Sequence, residues 1–327
     1  MRKLRWGLLS TAHINNQLIP AIRNSKHGDL VAVASRGEEK ARSYARQWQI
    51  SHYFSSYDAL LASDTVDVVY IGLPNHLHAE WMIKAMRAGK HVLCEKPFVL
   101  SLEEFEEVAK VKQETSMKIL EGFMYRYHPQ TQKVIELISE GLIGDVAAVE
   151  GIFQFKLDDP ANIRWNPKYG GGSLWDVGLY PMSFVQLIMG EPPVSVSAEM
   201  RLTKTGVDDL FFGQMEFSGS RFAQIRSGFS MPYTTSMTIL GSKGRIIVER
   251  PFNSMENHRK ILFVDEHGKE KWISIPRFDL YTGEVDDLNA AIHEDREPML
   301  SLDETRNHIR TLLALSTAAK ENRIVTL

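Results

Sequence analysis

The chain has 327 residues, of which 43% are hydrophobic and 24% are charged, with a formal net charge of −3. This composition excludes a basic surface that would attract nucleic acid, and no apolar run approaches the ~20 residues that span a membrane. A single cysteine, Cys94, and a first decade of residues without the apolar stretch of a signal peptide predict a cytoplasmic protein with neither nucleic acid nor a membrane as partner.

The first 123 residues alternate short apolar segments with segments of helix-forming composition. Strands are predicted at 3–9, 29–35, 66–73, 91–95 and 118–123, and helices at 13–25, 38–49, 76–88 and 101–115. The nearly continuous apolar run VDVVYIGL at 66–73 is typical of a strand covered on both faces. Ser101 and Glu104 form a capping box that opens the last of these helices. The alternation predicts an α/β fold whose first part is a doubly wound parallel sheet of the Rossmann type.

The pattern changes after about residue 125, where longer strands are separated by short turns such as GSKG and EHGK. Strands are predicted at 146–155, 194–202, 209–217, 221–229, 235–240, 244–248, 260–264 and 271–275, and helices at 128–140, 173–189, 282–294 and 302–321. Neighbouring strands joined by short turns are mostly antiparallel. We therefore predict two domains, a Rossmann domain over residues 1–122 and an α+β domain with a large, mostly antiparallel open sheet over residues 123–327.

The stretch LLSTAHIN at residues 8–15 joins the first strand to the first helix, where a dinucleotide-binding protein carries the fingerprint G-x-G-x-x-G. Ser10, Ala12 and Asn15 occupy the three glycine positions. Ser10 and Ala12 are small enough for a tight turn and a close backbone approach, and N–H groups at the helix start would still face phosphates. Asn15 suits close helix packing less well. These residues alone leave a plain strand-to-helix turn open as the alternative.

Ser35 and Arg36 follow the second strand, where an NAD site has an acidic residue that binds the ribose 2′-hydroxyl. A carboxylate would repel a 2′-phosphate, whereas a hydroxyl and a guanidinium would bind one. If a dinucleotide binds, this pair therefore favours NADP(H) over NAD(H). A surface arginine in a loop is the alternative.

The segment PNHLHAEWMIKAMRAGKHVLCEKP spans residues 74–97. It contains the predicted buried strand 91–95, at whose carboxyl end lie Glu95, Lys96 and Pro97. Ligands of parallel sheets bind at the carboxyl ends of the strands, so a lysine here is poorly explained by solubility alone. His76 and His78 do not predict a metal site, because no further ligand stands at suitable spacing. No metal is therefore expected.

This segment, together with EGFMYRYHPQ (121–130), GGGSLWDVGLYPMSF (170–184), ILGSKGRI (239–246) and EVDDLNAAI (284–292), resembles the glucose–fructose oxidoreductase / inositol dehydrogenase / MocA family of NAD(P)-dependent sugar oxidoreductases. The resemblance covers nearly the whole chain and is strongest to the dimeric dihydrodiol dehydrogenases and NADP-dependent xylose dehydrogenases. That branch often has Ser-Thr-Ala in place of the first two glycines. The resemblance therefore implies that LLSTAHIN is a phosphate-binding turn.

The resemblance also implies site residues. Lys96 matches the catalytic lysine, with a cis peptide in the neighbourhood of Lys96–Pro97, and in G-G-G-x-x-x-D-x-G-x-Y Asp176 matches the family's aspartate and Tyr180 its general acid/base. The implied cofactor site consists of Ser10, Thr11, Ala12, His13, Ile14, Ser35, Arg36, Leu73, Pro74, Asn75, His78, Glu95 and Lys96, with Arg164 and Trp165 contacting cofactor or substrate. Tyr125, Arg126 and His128 follow the last strand of the first domain and are predicted to bind substrate.

Lys96 and Tyr180 suit the oxidation of a carbinol, which needs a base for the hydroxyl proton. A free tyrosine has a pKa of about 10 and is a poor base at neutral pH, but a nearby ammonium group favours the phenolate and lowers that pKa. Asp176 and Tyr180 are four residues apart, so we expect them on one face of a helix. A core tyrosine and a helix-capping aspartate are the alternative without the resemblance.

The predicted strand 209–217 carries Phe211, Met215 and Phe217 on one face and Leu210 and Phe212 on the other. Helices can cover one face of such a sheet, and a large bare apolar face is unusual in a monomer. The sequence therefore predicts a two-fold homodimer formed through the open sheet.

Taken together, these features predict an NADP(H)-dependent oxidoreductase that transfers a hydride to or from a carbinol or carbonyl of a small sugar, polyol or dihydrodiol. A non-catalytic NADP-binding sensor or regulator on the same fold is one alternative. A sugar oxidoreductase that retains its nucleotide through catalysis is another.

Overall fold

The computed structural model describes residues 2–252 and 259–327. The chain forms two compact units: the first contains the residues up to Met124 together with Tyr281–Arg306, and the second contains Tyr125–Leu280 and Asn307–Leu327. The predicted domains divided the chain only once, between residues 122 and 123. In the structure the chain returns to the first unit, so residues 281–306 lie there and not with the second half.

The first unit is built on a parallel sheet. Its strands are β1 (Leu4–Leu9), β2 (Gly28–Ala34), β3 (His52–Phe54), β4 (Val68–Ile71), β5 (His91–Glu95) and β6 (Ile119–Gly122). Its helices are α1 (Asn15–Asn24), α2 (Glu38–Trp48), α3 (Tyr57–Leu61), α4 (His78–Arg87), α5 (Leu102–Thr115), and later in the chain α8 (Thr282–His293) and the start of α9 (Leu302–Glu321). The strand order β3-β2-β1-β4-β5-β6 reverses direction between β1 and β4, which is the point where ligands bind in open parallel sheets.

Two elements of this unit were not predicted. The three residues of β3 are exposed or half-buried, so they form no apolar run that would signal a strand. The helix α3 has only five residues, too few to show a helical pattern. The Ser56 hydroxyl caps it by accepting a hydrogen bond from Ala59 N at 3.1 Å. The other predicted strands and helices of the first unit are present, with ends that differ by a few residues.

A buried polar network attaches α8 to the first unit. Trp6 Nε1 donates to Asn289 Oδ1 at 3.1 Å, and Asn289 Nδ2 donates to Ser25 Oγ at 3.1 Å. Ser25 Oγ in turn donates to Asp286 Oδ1 at 2.6 Å. Trp6 and Asn289 are completely buried. Because buried polar groups are costly without partners, this network requires α8 to lie against β1 and the end of α1.

The second unit is built on a large sheet. Its strands are β7 (Val146–Lys156), β8 (Ser195–Leu202), β9 (Asp208–Phe217), β10 (Arg221–Gly228), β11 (Ser230–Gly241), β12 (Gly244–Glu249), β13 (Arg259–Asp265), β14 (Glu270–Ile275) and β15 (Val325–Thr326), and its helices include α6 (Pro129–Ser139) and α7 (Leu179–Met189). The order is β14-β13-β12-β11-β7-β10-β9-β8-β15, with β7 and β10 parallel and the other pairs antiparallel. The predicted combination of a parallel sheet and a mostly antiparallel one is therefore confirmed.

The two faces of this sheet differ in burial. Phe211, Met215 and Phe217 of β9 are almost completely buried, and α7 packs on that side, where a Cβ on Gly151 would clash with Pro181. On the opposite face Phe212 is 45% exposed and Phe222 of β10 is 52% exposed. Among the described residues, no helix combines the length and the apolar character needed to cross a membrane.

An ion-pair cluster joins β1 to the start of β4. Asp67 Oδ2 accepts hydrogen bonds from Arg5 N at 2.9 Å and from Arg2 Nη1 at 2.7 Å, and Asp67 Oδ1 accepts from Arg5 Nη2 at 2.9 Å. Burial alone would raise the pKa of Asp67, but the hydrogen bonds from the two arginines outweigh it and hold that pKa well below its usual range. The ionised carboxylate therefore stabilises the fold.

We expect Asp67→Asn to lower the free energy of unfolding at pH 7 by about 1–2 kcal/mol, because charged hydrogen bonds are lost at a partly exposed site. The folded-state pKa lies below the unfolded value of about 4, so the stabilisation is present above pH 4 and is lost as the pH falls through the folded pKa. Urea unfolding of both proteins from pH 7 down to pH 3 should show the difference shrinking. The exposed Asp64→Asn is the control, and a pH-independent difference would contradict this assignment.

Candidate functional site

The turn between β1 and α1 is closed by side-chain hydrogen bonds. Ser10 has a φ of 145°, its Oγ donates to the Gly72 carbonyl at 3.1 Å, and Ala12 N donates to Ser10 Oγ at 3.3 Å. Asn15 Nδ2 donates to the Ser10 carbonyl at 2.9 Å. Thr11 and Ala12 are half-buried and His13 is exposed. The turn leads directly into α1, and the positive end of the helix dipole at that N-terminus suits an anion such as phosphate.

Ser35 and Arg36 lie at the carboxyl end of β2. Ser35 is buried, and its N–H donates to the Phe54 carbonyl of β3 at 3.1 Å. Arg36 is exposed and lies close enough to Tyr57 to influence its pKa. The structure thus presents the exposed Arg36 guanidinium at the carboxyl end of β2, beside the strand that precedes the turn at Ser10.

The loop that follows β4 is attached to the loop that follows β5 through His78. The imidazole is completely buried, with Nδ1 2.8 Å from the Pro97 carbonyl oxygen and Nε2 2.8 Å from the Leu73 carbonyl oxygen. Burial lowers the pKa of His78, and the two carbonyl oxygens oppose this shift. Pro74 and Asn75 between these contacts stay half-buried. The side chain of His78 therefore positions both loops from within the unit.

Glu95 and Lys96 end β5, and both are half-buried. The hydroxyl of Tyr70 on β4 donates to Glu95 Oε1 at 2.6 Å, and Tyr70 has a pKa raised well above its usual value, first by burial and then by the Glu95 charge. Tyr70 therefore remains a neutral donor that orients this carboxylate. The Lys96–Pro97 peptide bond is cis, in agreement with the resemblance, and Phe98 N donates to the buried carboxylate of Glu121 at 2.9 Å.

In the second unit, Asp176 and Tyr180 lie on a helix that begins with a wide turn. Leu174–Gly178 form a π-helical turn, and α7 continues from Leu179. The expectation of one regular helix over 173–189, with α-helical i,i+4 spacing, is corrected by this turn. Gly178 marks the position, because a Cβ there would lie 2.8 Å from Ser227 Oγ of β10. Such π-turns occur frequently at functional sites.

Asp176 forms an ion pair and does not cap the helix. Arg164 Nε donates to Asp176 Oδ2 at 2.6 Å, and the pKa of Arg164 is raised, first by the Asp176 charge and to a smaller extent by Tyr180. Tyr180 therefore lies close enough to Arg164 to interact with it electrostatically. The structure therefore brings Arg164, Asp176 and Tyr180 together.

Aromatic rings surround Tyr180, which is 6% exposed. Its ring centroid lies 5.3 Å from that of Phe252, 5.5 Å from that of Phe153 and 6.3 Å from that of Tyr125. Phe252 and Phe153 are also stacked on each other at 5.7 Å. These rings exclude water on one side of the phenol. Sequence reasoning missed Phe153 and Phe252, because they lie on separate elements and neither belongs to a recognisable motif.

Asp208 is a second residue that sequence reasoning missed. Its Oδ2 accepts hydrogen bonds from Ser173 Oγ at 2.5 Å and from Leu174 N at 2.9 Å, at the start of the π-turn. Burial raises the pKa of Asp208, and these hydrogen bonds oppose the shift. The absence of a capping side chain in the glycine-rich segment 170–172 was the available signal that a distant residue supplies the cap.

The remaining predicted residues are mostly engaged in internal packing. Trp165 Nε1 donates to the Asp159 carbonyl at 3.0 Å, and its ring meets Phe229 edge-on at 5.3 Å. The hydroxyls of Tyr125 and Ser183 are 2.8 Å apart. His128 caps α6 by accepting from Gln130 N at 3.0 Å, and Arg126 is 4% exposed. Across residues 2–252 and 259–327, no group of three or more His, Cys, Asp or Glu side chains could hold a metal ion.

Comparison with known proteins matches both halves of the chain to family models. Residues 4–123 match an oxidoreductase family with an NAD-binding Rossmann fold, and residues 131–247 match the GFO/IDH/MocA C-terminal domain. The chain belongs to the GFO/IDH/MocA oxidoreductase family. The resemblance drawn from its sequence motifs is thereby confirmed.

Relatives in this family match along nearly the whole chain. A D-xylose 1-dehydrogenase (NADP(+)) of Haloferax volcanii is 34% identical over 326 residues, covering 99% of this chain and 100% of its own. A trans-1,2-dihydrobenzene-1,2-diol dehydrogenase of Xenopus tropicalis is 30% identical, covering 83% and 81%. A 3-ketoreductase of Actinomadura kijaniata, solved with NADP and TDP-benzene, is 27% identical with a TM-score of 0.91, covering 97% and 98%.

Proposed function

We propose that this protein is an NADP(H)-dependent oxidoreductase that interconverts a carbinol and a carbonyl on a small sugar, polyol or dihydrodiol. The observation that carries the proposal is the environment of Tyr180, a tyrosine among aromatic rings beside the Arg164–Asp176 ion pair. Such an environment suits a phenol that exchanges a proton. Relatives that act on D-xylose and on trans-dihydrodiols support the substrate class.

The residues of the first unit fit a dinucleotide. The turn over Ser10–Asn15 would hold the pyrophosphate at the N-terminus of α1, where the helix dipole favours an anion. Arg36, exposed at the end of β2, would bind the 2′-phosphate. Leu73, Pro74 and Asn75 would border the nicotinamide half together with Glu95, which Tyr70 orients. When bound, NADP(H) supplies or accepts the hydride.

The chain's own residues then move the proton. In the direction of reduction, Tyr180 donates its phenolic proton to the carbonyl oxygen as negative charge develops there, and Lys96 stabilises that charge with its ammonium group. In the direction of oxidation, the phenolate of Tyr180 removes the hydroxyl proton. In this proposal Arg164 and Lys96 would both favour the phenolate, and Asp176 holds Arg164 in place. Arg126 and His128 are proposed to lie on the substrate side of this site.

Lys96→Met and Tyr180→Phe should each lower kcat by roughly 100- to 10,000-fold, the contribution of a positioned acid–base group. Because the two residues serve one proton transfer, the double variant should lose little more than either single variant. The measurement is nicotinamide absorbance during a screen of sugars, dihydrodiols and dicarbonyls with NADP(H), followed by the mutant cycle on the best substrate.

The exposed Tyr53→Phe and Lys40→Met serve as controls for this cycle and should retain full activity. If Tyr180→Phe keeps nearly the full kcat, the proton donor is another residue. If the wild-type protein binds NADP(H) and turns over none of these substrates, the sensor or regulator alternative is favoured.

NADP(H) should bind more tightly than NAD(H), because Arg36 would pair with the 2′-phosphate. Calorimetry on Arg36→Ala should show NADP+ binding weakened by about 10- to 150-fold, with NAD+ affinity nearly unchanged. Arg46→Ala, an exposed arginine on α2, is the matched control. An equal loss for both nucleotides would remove Arg36 from the 2′-phosphate site.

We also propose that the protein is cytoplasmic, where the buried thiol of Cys94 stays reduced. We further propose that two copies pair through the open face of the second unit's sheet. Phe212, Phe222 and Trp272 are each about half exposed, and a second copy related by a two-fold axis would cover them. Sedimentation should give a dimer at micromolar concentration, and Phe222→Arg should dissociate it, whereas Tyr53→Arg should not. A stable wild-type monomer would exclude this arrangement.

A further inference from the structure

The turn after β1 adopts a backbone conformation that normally requires glycine. Ser10 stands at the first glycine position of the dinucleotide fingerprint, and its φ of 145° lies in a region that L residues rarely adopt. Strained conformations of this kind persist only where surrounding contacts determine them. The contacts around Ser10 should therefore include the groups that hold it.

Three hydrogen bonds hold Ser10 in this conformation. Ser10 Oγ donates to the Gly72 carbonyl at 3.1 Å and accepts from Ala12 N at 3.3 Å. The third comes from the first residue of α1, where Asn15 Nδ2 donates to the Ser10 carbonyl at 2.9 Å. Asn15 has no exposed surface, so its amide is committed to the interior. A glycine at position 15, which the fingerprint calls for, could not make this bond.

The buried amide of Asn15 also lies beside Gly72, which comes just after β4. A Cβ on Gly72 would lie 3.1 Å from the ring of Tyr70 and 3.5 Å from Asn15 Oδ1, so the tight approach is to Tyr70 and the amide oxygen is at an ordinary van der Waals distance. The hydrogen bond to the Ser10 carbonyl is therefore the contact that links residue 15 to residue 10.

We propose that Asn15 is a positioning residue that holds Ser10 in its strained conformation, and so shapes the turn for the pyrophosphate of a dinucleotide. The inference rests on the proposed function, since it assigns the turn to nucleotide binding. Ser10 and Asn15 are then a coupled replacement for two glycines. Asn15 matters because residue 10 has a side chain, and it should lose its importance when residue 10 is glycine.

The test is a double-mutant cycle of Asn15→Gly, Ser10→Gly and the double variant, with calorimetric Kd values for NADP+ and NAD+. Asn15→Gly should weaken both nucleotides by about 5- to 150-fold, the effect of leaving a buried carbonyl unpaired. Ser10→Gly loses the hydroxyl hydrogen bonds to Gly72 and Ala12, and its affinity is the reference with which the double variant is compared. The double variant should recover most of the lost affinity, because glycine adopts the required φ without help.

Adenosine 2′-phosphate separates positioning from general damage. It carries the 2′-phosphate without a pyrophosphate, so its affinity should be the same in all four proteins. Asn16→Gly, at the exposed neighbouring position of α1, controls for glycine in the helix and should leave NADP+ affinity unchanged.

Wild-type affinity for Asn15→Gly, or failure of Ser10→Gly to restore it, would overturn the inference. If Asn15→Gly does not fold, a double variant that folds and binds supports the coupling, and one that also fails to fold overturns it. A wild-type protein that binds only NAD+ contradicts the proposed NADP(H) preference while the cycle still decides the role of Asn15. A wild-type protein that binds neither nucleotide overturns both.

Discussion

The first unit depends on the contact between the carboxyl ends of β1 and β4, where the strand order reverses. At this point the chain passes from β1 to a helix on one face of the sheet and from β4 to a helix on the other face. The last backbone groups of both strands must still find hydrogen-bond partners. The hydrogen bond from Ser10 Oγ to the Gly72 carbonyl satisfies one of these groups directly. The buried His78 imidazole lies 2.8 Å from the carbonyl oxygens of both Leu73 and Pro97, so it fills the space between the chain after β4 and the chain after β5 and donates its single N–H to one of them.

A comparable constraint governs the second unit, where helix 174–189 must present Tyr180 while its own start is buried. Asp208 on β9 satisfies the helix start, and Ser227 on β10 lies against Gly178, where the π-turn widens the helix. The aromatic rings of Phe153 and Phe252 then enclose the phenol.

Much of this architecture is predictable from local pattern, and the parts that are not have identifiable physical causes. Strands such as VDVVYIGL are predictable from the sequence, because burial of both faces requires a continuous run of apolar residues. The short strand β3 does not, since its side chains are exposed or half-buried. The π-helical turn is not predictable, because it produces no characteristic spacing of apolar residues in the sequence. The attachment of α8 to the first unit depends on the Trp6–Asn289 hydrogen bond across 283 positions, which no local window contains. The family motifs predict Lys96, Asp176 and Tyr180 as site residues, whereas Tyr70 and Asp208 lie on strands without a motif.

The turn after β1 shows that the dinucleotide-binding fingerprint describes a set of structural requirements, which residues other than glycine can also meet. A dinucleotide turn needs a residue at positive φ, a close backbone approach and room between helix and strand. Glycine meets each need at its own position, and losing one glycine alone would leave its need unmet. Here the positive φ is kept at Ser10, and Asn15 at the third position donates a hydrogen bond to the carbonyl of that residue. Because the two substitutions share one hydrogen bond, from Asn15 to Ser10, neither is understandable without the other. The sequence shows both residues, but only their juxtaposition in space reveals that they compensate each other.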